Sequence, residues 1–170
     1  MTKLKRIFIV GHMGAGKSAL GKALAEKLGW QYIDANPSLE RYIGRSLHEI
    51  LGTQGEEAFH QCEAEIIVNY LNHDQVVLVL EEAVIATEQN RKLLSSEFVI
   101  YSKVTTPVQL ERMLIGPPPV LPIADRKAFL DQLHLERDKL FEEIATLTLE
   151  PTFSIEEDVN TVIKDIEASM

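Results

Sequence analysis

The sequence predicts an α/β fold, a five-stranded parallel sheet with helices on both faces, and three observations predict it. Short apolar runs rich in β-branched and aromatic residues alternate along the chain with segments of helical period. The first run, "RIFIV" at 6 to 10, leads straight into a glycine-rich stretch, "GHMGAGKS" at 11 to 18, which opens the first helical segment. The 170 residues suffice for one domain with a sizeable core and are too few for two comfortable ones, so 1–170 reads as a single domain.

Each element follows from its local pattern. "RIFIV" has the composition of a strand buried on both faces. The basic residues before it precede only four apolar ones, so a first strand is expected rather than a signal peptide. From Ser18, "SALGKALAEKL" sets Ala19, Leu20, Ala23, Leu24 and Leu28 on one side of a helix that stops at Gly29. "WQYIDA" reads as the second strand, and "SLHEILG" and "EEAFHQCEAEIIVNYLN" as helices. "QVVLVL" is the third strand, "TEQNRKLLSS" a helix and "EFVIYSK" the fourth strand. After Pro107 come a helix through Met113, the proline loop "GPPPVLP" and a long helix from about Asp125 to Ile144. A short strand "TLTLE" and the helix "EEDVNTVIKDIEA" close the chain.

"GHMGAGKS" fits G-x-x-x-x-G-K-[ST] from Gly11 to Ser18, between a strand and a helix, the context the motif requires. Glycines at 11, 14 and 16 let the backbone curl so that N–H groups point at phosphate oxygens, with the positive end of the following helix behind them. Gly11, Gly14, Ala15, Gly16, Lys17, Ser18 and Ala19 are therefore the candidate binders of a nucleotide polyphosphate such as that of ATP. Lys17 would reach the β and γ phosphates and Ser18 would ligate Mg²⁺. His12 and Met13 occupy variable positions and carry no assigned role. Ligands in open parallel sheets bind at the carboxyl ends of the strands, where Gly11, Asp34 and Glu81 all fall.

Charge and composition narrow the partners. The net charge of −9, from 26 acids and 17 bases, opposes a nucleic-acid backbone or an anionic membrane surface and favours small molecules or proteins. No apolar run approaches the roughly 20 residues of a membrane span. The single cysteine, Cys62, cannot form an internal disulfide and reads as a helix-face residue, which suits a reducing cytoplasmic setting. A monomer is expected.

Through residue 63 the pattern becomes specific. "GHMGAGKSALGKALAEKLGWQYID" followed by "ERYIGRSLHEILGTQGEEAFHQCE" resembles the shikimate kinases, members of the nucleoside monophosphate kinase-like group of P-loop proteins. Gly44-Arg45-Ser46, Glu49-Ile50, Gly55-Glu56, Phe59 and Glu63 repeat that family's pattern at its spacing, and "LERDKLFEEIA" at 135 to 145 resembles its helix after the lid. The resemblance implies a three-layer P-loop sandwich with a short mobile lid at about 116–125. It also implies transfer of the γ-phosphate of ATP to a hydroxyl of shikimate, an anionic carbocycle. Asp34 would help organise the magnesium shell, Arg112 would pack on adenine, Arg137 would grip the acceptor's carboxylate and Glu63 would support the acceptor site.

Four departures cluster around the acceptor and the lid. Asn36 stands where the family has the second aspartate of Asp-x-Asp, and an amide takes no proton at neutral pH. His60 replaces an arginine that pairs with the acceptor carboxylate, and imidazole lacks that two-pronged contact. "GPPPVLP" has a proline in place of the lid arginine. Glu81 and Glu82 replace glycines, and their charge would oppose a carboxylate. These changes speak against shikimate itself as the acceptor and leave an unidentified hydroxyl-bearing small molecule. Glu81 and Glu82 could hold the metal through water, orient a nucleophile, contact a cationic or hydroxylated acceptor, or simply face solvent or form salt bridges. Two further readings stay open: a nucleotide-binding sensor without turnover, and a slow ATPase.

Overall fold

The computed structural model describes residues 4–35, 55–113, 123–152 and 154–169. Asn36, the stretch 46–52 expected as a helix and lid residues 116–122 lie outside them; so do the side chains of residues 55–60 (His60 among them), Cys62, Met113 and residues 123–125. The elements run β1 (Arg6–Val10), α1 (Lys17–Leu28), β2 (Gln31–Asp34), α2 (Gly55–Tyr70), β3 (Val76–Val79), a 3₁₀ turn (Glu82–Ala86), α3 (Glu88–Leu94), β4 (Phe98–Ser102), α4 (Thr106–Met113), α5 (Ile123–Ile144), β5 (Leu147–Leu149) and α6 (Ile155–Ser169). All strand pairings are parallel and the order is β2-β3-β1-β4-β5, the five-stranded α/β sheet the alternation predicts.

Both faces of the sheet are covered, which is why its strands need no polar alternation. In β1, Ile7 and Ile9 enter a core with Leu20 and Leu24 of α1, Val77, Val79 and Ile100 of the sheet, and Val159 and Val162 of α6. Phe8 and Val10 point the other way, into a second core with Ile67 of α2, Leu78, Leu80, Leu94 of α3, Tyr101 and Phe141 of α5. The period-2 side-chain alternation of a strand thus divides one apolar run between two cores.

The register brings the functional ends together. Ile9 pairs with Val79, and Val79 with Asp34, so β1, β3 and β2 end side by side. The segments that follow, 11–17 and 80–82, therefore emerge at one edge beside Asp34. One expectation is corrected here. Ala19 was placed with the apolar side of α1, yet it is exposed, and Gly21 and Ala25 take the core positions beside Leu20 and Leu24. Leu20, Gly21, Leu24 and Ala25 form the i, i+1, i+4, i+5 stripe that meets the core, and Ala19, next to that stripe, lines the cleft instead.

Candidate active site

The loop after β1 is held in shape by its carbonyls. Every carbonyl oxygen from 11 to 15 accepts from a side-chain donor. Gly11 and His12 accept from Lys17 Nζ at 2.5 and 3.3 Å, Met13 from Gln109 Nε2 at 2.7 Å, Gly14 from Arg112, and Ala15 from the buried Ser102 hydroxyl at 2.9 Å. Backbone acceptors tied in this way fix the curl that leaves a nest for an anion. Gly16, in a left-handed conformation, caps α1 with no side-chain hydrogen bond, so the helix start is open toward a ligand.

A cleft of about 320 Å³ is lined by residues 13–19 of this loop and by Asp34, Val79, Leu80, Glu81 and Glu82. Ser18 Oγ stands 3.4 Å from Asp34 Oδ2, which also accepts from the Tyr32 hydroxyl at 3.4 Å. This hydroxyl-carboxylate pair is a hard-oxygen donor set of the kind Mg²⁺ takes beside phosphates. Burial pushes the Lys17 ammonium below its ordinary value, and the charges of Glu81, Glu82 and Asp34 work against that shift.

Arg112, expected on adenine, is exposed and donates to the Gly14 carbonyl. It also borders a second cleft of about 260 Å³ with Lys103, Val104, Thr105, Val108, Glu150 and Pro151.

The two glutamates behave differently from each other. β3 ends at Val79, and Glu82 opens the 3₁₀ turn, buried rather than facing solvent. Its Oε1 lies 2.6 Å from His12 Nδ1 and 3.7 Å from the Arg137 guanidinium. Burial raises the Glu82 carboxyl, but the His12 hydrogen bond and charge, with Arg137 and Lys17, outweigh burial and hold it below the ordinary value. Glu81 is half-buried and, with Ala35, Glu63, Ile66, Leu80 and Val84, also lines a small space next to the cleft.

Glu63 is 5% exposed, and burial, reinforced by the charge of Glu81 and opposed by Arg137, pushes it up to about 9. It is a neutral acid at pH 7. A carboxyl whose folded value lies above its unfolded one keeps a proton that the unfolded chain releases, so folding loses ground as pH rises from about 4.5 to about 9. Glu63→Gln keeps the shape with no proton to lose. Its stability relative to wild type should therefore improve by about 2 to 4 kcal/mol between pH 5 and pH 9. Urea unfolding at the two pH values measures this, and equal differences at both would show that Glu63 ionises freely.

Among the described residues, the fold brings Lys17, Ser18, Asp34, Glu81 and Glu82 to one cleft, with Arg137 against Glu82 and Glu63 under Glu81. Sequence reading missed His12. It is fully buried and bridges Glu82 to Asp138, whose Oδ1 lies 2.5 Å from His12 Nε2. A histidine inside a glycine-rich loop, otherwise flanked by small or apolar residues, was the available signal.

A parallel sheet with a phosphate nest after β1, an open helix start behind it and a lysine and acids in one cleft defines the class of P-loop phosphotransferases. The model of the shikimate kinase family matches residues 13–167, and this chain belongs to that family. It is accordingly an enzyme, an ATP-dependent phosphotransferase. The shikimate kinase of Francisella philomiragia is 37% identical over 153 residues, 88% of this chain and 87% of that protein, and that of Francisella tularensis subsp. novicida is equally similar. A shikimate kinase from Acinetobacter baumannii, solved in complex with shikimate, superposes with a TM-score of 0.89 at 28% identity, covering 98% of this chain and 95% of that one. The shikimate kinase of Bacteroides thetaiotaomicron shares the fold, with a TM-score of 0.88 at 23% identity over 97% of this chain and 99% of that one. These relatives do not bear out the expectation that the departures speak against shikimate, and nothing in them supports the readings as a sensor without turnover or a slow ATPase. No helix among the described residues is long and apolar enough to cross a membrane.

Proposed function

We propose that the chain transfers the γ-phosphoryl group of ATP to a hydroxyl of shikimate, with an acceptor affinity weakened by its own Glu82. The observation that carries the transfer is the shared cleft, in which the nest 13–19, Asp34 and the acids after β3 face one another. Lys17 leaves the Gly11 and His12 carbonyls to neutralise the β and γ phosphates, and the loop amides orient them. Ser18 and Asp34 would hold Mg²⁺, which when bound neutralises charge on the phosphates. The second cleft beside Arg112 offers the nucleotide base a partly apolar seat between the guanidinium and Pro151.

The acids obstruct an anionic acceptor less than their number suggests. Glu63 is neutral, and the charge of Glu82 is offset by His12 and Arg137. Asn36 is also no bar, since a loose phosphoryl-transfer transition state asks for positioning and charge neutralisation more than for a strong base. The cost falls on Arg137, which a carboxylate must win from Glu82.

ADP release from Mg-ATP, measured with and without shikimate, tests the reading. Stimulation with a high KM for shikimate is expected, and Glu82→Gln should lower that KM about tenfold, roughly the value of one charge-assisted contact. No stimulation at saturating shikimate would overturn shikimate as the acceptor, and an unchanged KM in Glu82→Gln would overturn the competition for Arg137.

A further inference from the structure

The cluster around His12 is not used by the phosphate chemistry. His134, one helical turn before Asp138 on α5, places Nδ1 at 3.0 and 3.1 Å from the two Asp138 carboxylate oxygens, and its ring centroid lies 4.0 Å from that of His12. Its other nitrogen, Nε2, is 2.7 Å from Gln109 Oε1. The orientation of that amide is decided, because Gln109 Nε2 donates to the Met13 carbonyl at 2.7 Å. Oε1 therefore faces His134, and His134 Nε2 must carry a proton. In the neutral ring Nδ1 then offers a lone pair to a carboxylate, so acceptor meets acceptor. His12 repeats the problem, with a carboxylate oxygen at each nitrogen, Glu82 at 2.6 Å and Asp138 at 2.5 Å. Two extra protons would resolve the cluster. So would a single dication in their place.

We propose that His12 Nε2, His134 Nδ1 and the Asp138 carboxylate form a binding site for one transition-metal dication of the zinc type, separate from the nucleotide's magnesium. One ligand atom from each of the three residues lies within 4.8 Å of the others, and His12 Nε2 and His134 Nδ1 stand 2.5 and 3.0 Å from the same Asp138 oxygen. Each imidazole hands its outer N–H to an acceptor, His12 to Glu82 and His134 to Gln109, which is the outer shell that orients metal-binding histidines. Two imidazole nitrogens with one carboxylate suit Zn²⁺ or Co²⁺, whereas Mg²⁺ and Ca²⁺ take oxygen donors. Ligand atoms around a tetrahedral ion with bonds of about 2.1 Å stand roughly 3.4 Å apart, so Asp138 turns slightly outward to admit it. Its side chain is 34% exposed and has that freedom. The Tyr101 hydroxyl, 3.2 Å from Asp138 Oδ1, and solvent on the exposed side complete the surroundings. An ion here would staple the second residue of the phosphate loop to the helix that carries Arg137.

The test uses whole protein stripped with EDTA and free of nucleotide. Zn²⁺ is titrated against a chromophoric chelator, and Co²⁺ serves as a probe whose visible absorption reports a tetrahedral nitrogen and oxygen site. One Zn²⁺ per chain is expected. His134→Ala and Asp138→Asn should each weaken it about 100-fold or more, and Gln109→Leu about 10- to 100-fold. Ser18→Ala, at the nucleotide site, and His73→Ala, in the connection before β3 at the opposite end of the strands, should leave it unchanged. Asp138→Asn preserves size, so the outcome does not hang on His134→Ala folding. Failure of the wild type to take up stoichiometric Zn²⁺ would overturn the site in favour of a purely protonated cluster. Uptake that survives both His134→Ala and Asp138→Asn would overturn it as well.

Discussion

Lys17→Ala should lower the rate of ADP release from Mg-ATP by about 10² to 10³-fold, the loss typical of removing one preorganised group aimed at developing charge. The physical case rests on what Lys17 does in the resting enzyme. Its ammonium is held against the Gly11 and His12 carbonyls at the base of the nest, and burial would favour the neutral amine. Glu81, Glu82 and Asp34 keep the charge available. Incoming phosphates replace those acids as the better counter-charge, so the ammonium moves toward the transferring group and stabilises its transition state. Lys17→Arg should rescue little, because a planar guanidinium does not fit where a compact ammonium sits. Steady-state kinetics of both variants measure this, and a rate within threefold of wild type for Lys17→Ala would remove Lys17 from the chemistry.

Gly11→Ala should destabilise the fold by roughly 2 to 6 kcal/mol, combining a disfavoured backbone conformation with overpacking. Gly11 has φ +148°, and a Cβ there would sit 2.5 Å from the Ser102 carbonyl oxygen. Backbone at the end of β4 cannot yield as a flexible side chain would, and the Ser102 hydroxyl is meanwhile holding Ala15. Gly29→Ala is the internal control. It too has positive φ, +70° at the end of α1, but a Cβ would meet nothing within 4 Å, so only the conformational cost of about 1 kcal/mol remains. Urea unfolding of the two variants separates strain from collision, and equal losses would show that the approach to Ser102 is not what demands glycine at 11. A loss of this size is a large part of a typical domain stability of about 5 to 15 kcal/mol.

The strands and helices were legible because their signals are local. "RIFIV" and "VVLV" have the composition of doubly buried strands, and those expected strands and helices that fall within the described residues match the observed ones within a few residues at their ends. The phosphate loop was legible for the same reason, since its geometry is written in eight consecutive residues. The 3₁₀ turn at Glu82–Ala86 was not, because "EEAVIA" has no helical period to announce it. His12 was passed over because its partners, Glu82 and Asp138, lie 70 and 126 positions away.

By itself the sequence determined the alternating α/β order, the anion-binding loop and the identity of the groups available for chemistry. Those properties depend on side-chain periodicity and on glycine spacing over a few residues. Only the tertiary structure decided the charge state and partnership of those groups. Glu81, Glu82 and Glu63 are chemically alike in the sequence, yet Glu81 and Glu82 both line the cleft, Glu82 alone is held by His12 and Arg137, and Glu63 is kept neutral by burial. The reason is that desolvation and Coulomb energies depend on distances of a few ångströms between residues far apart along the chain, and packing alone sets those distances.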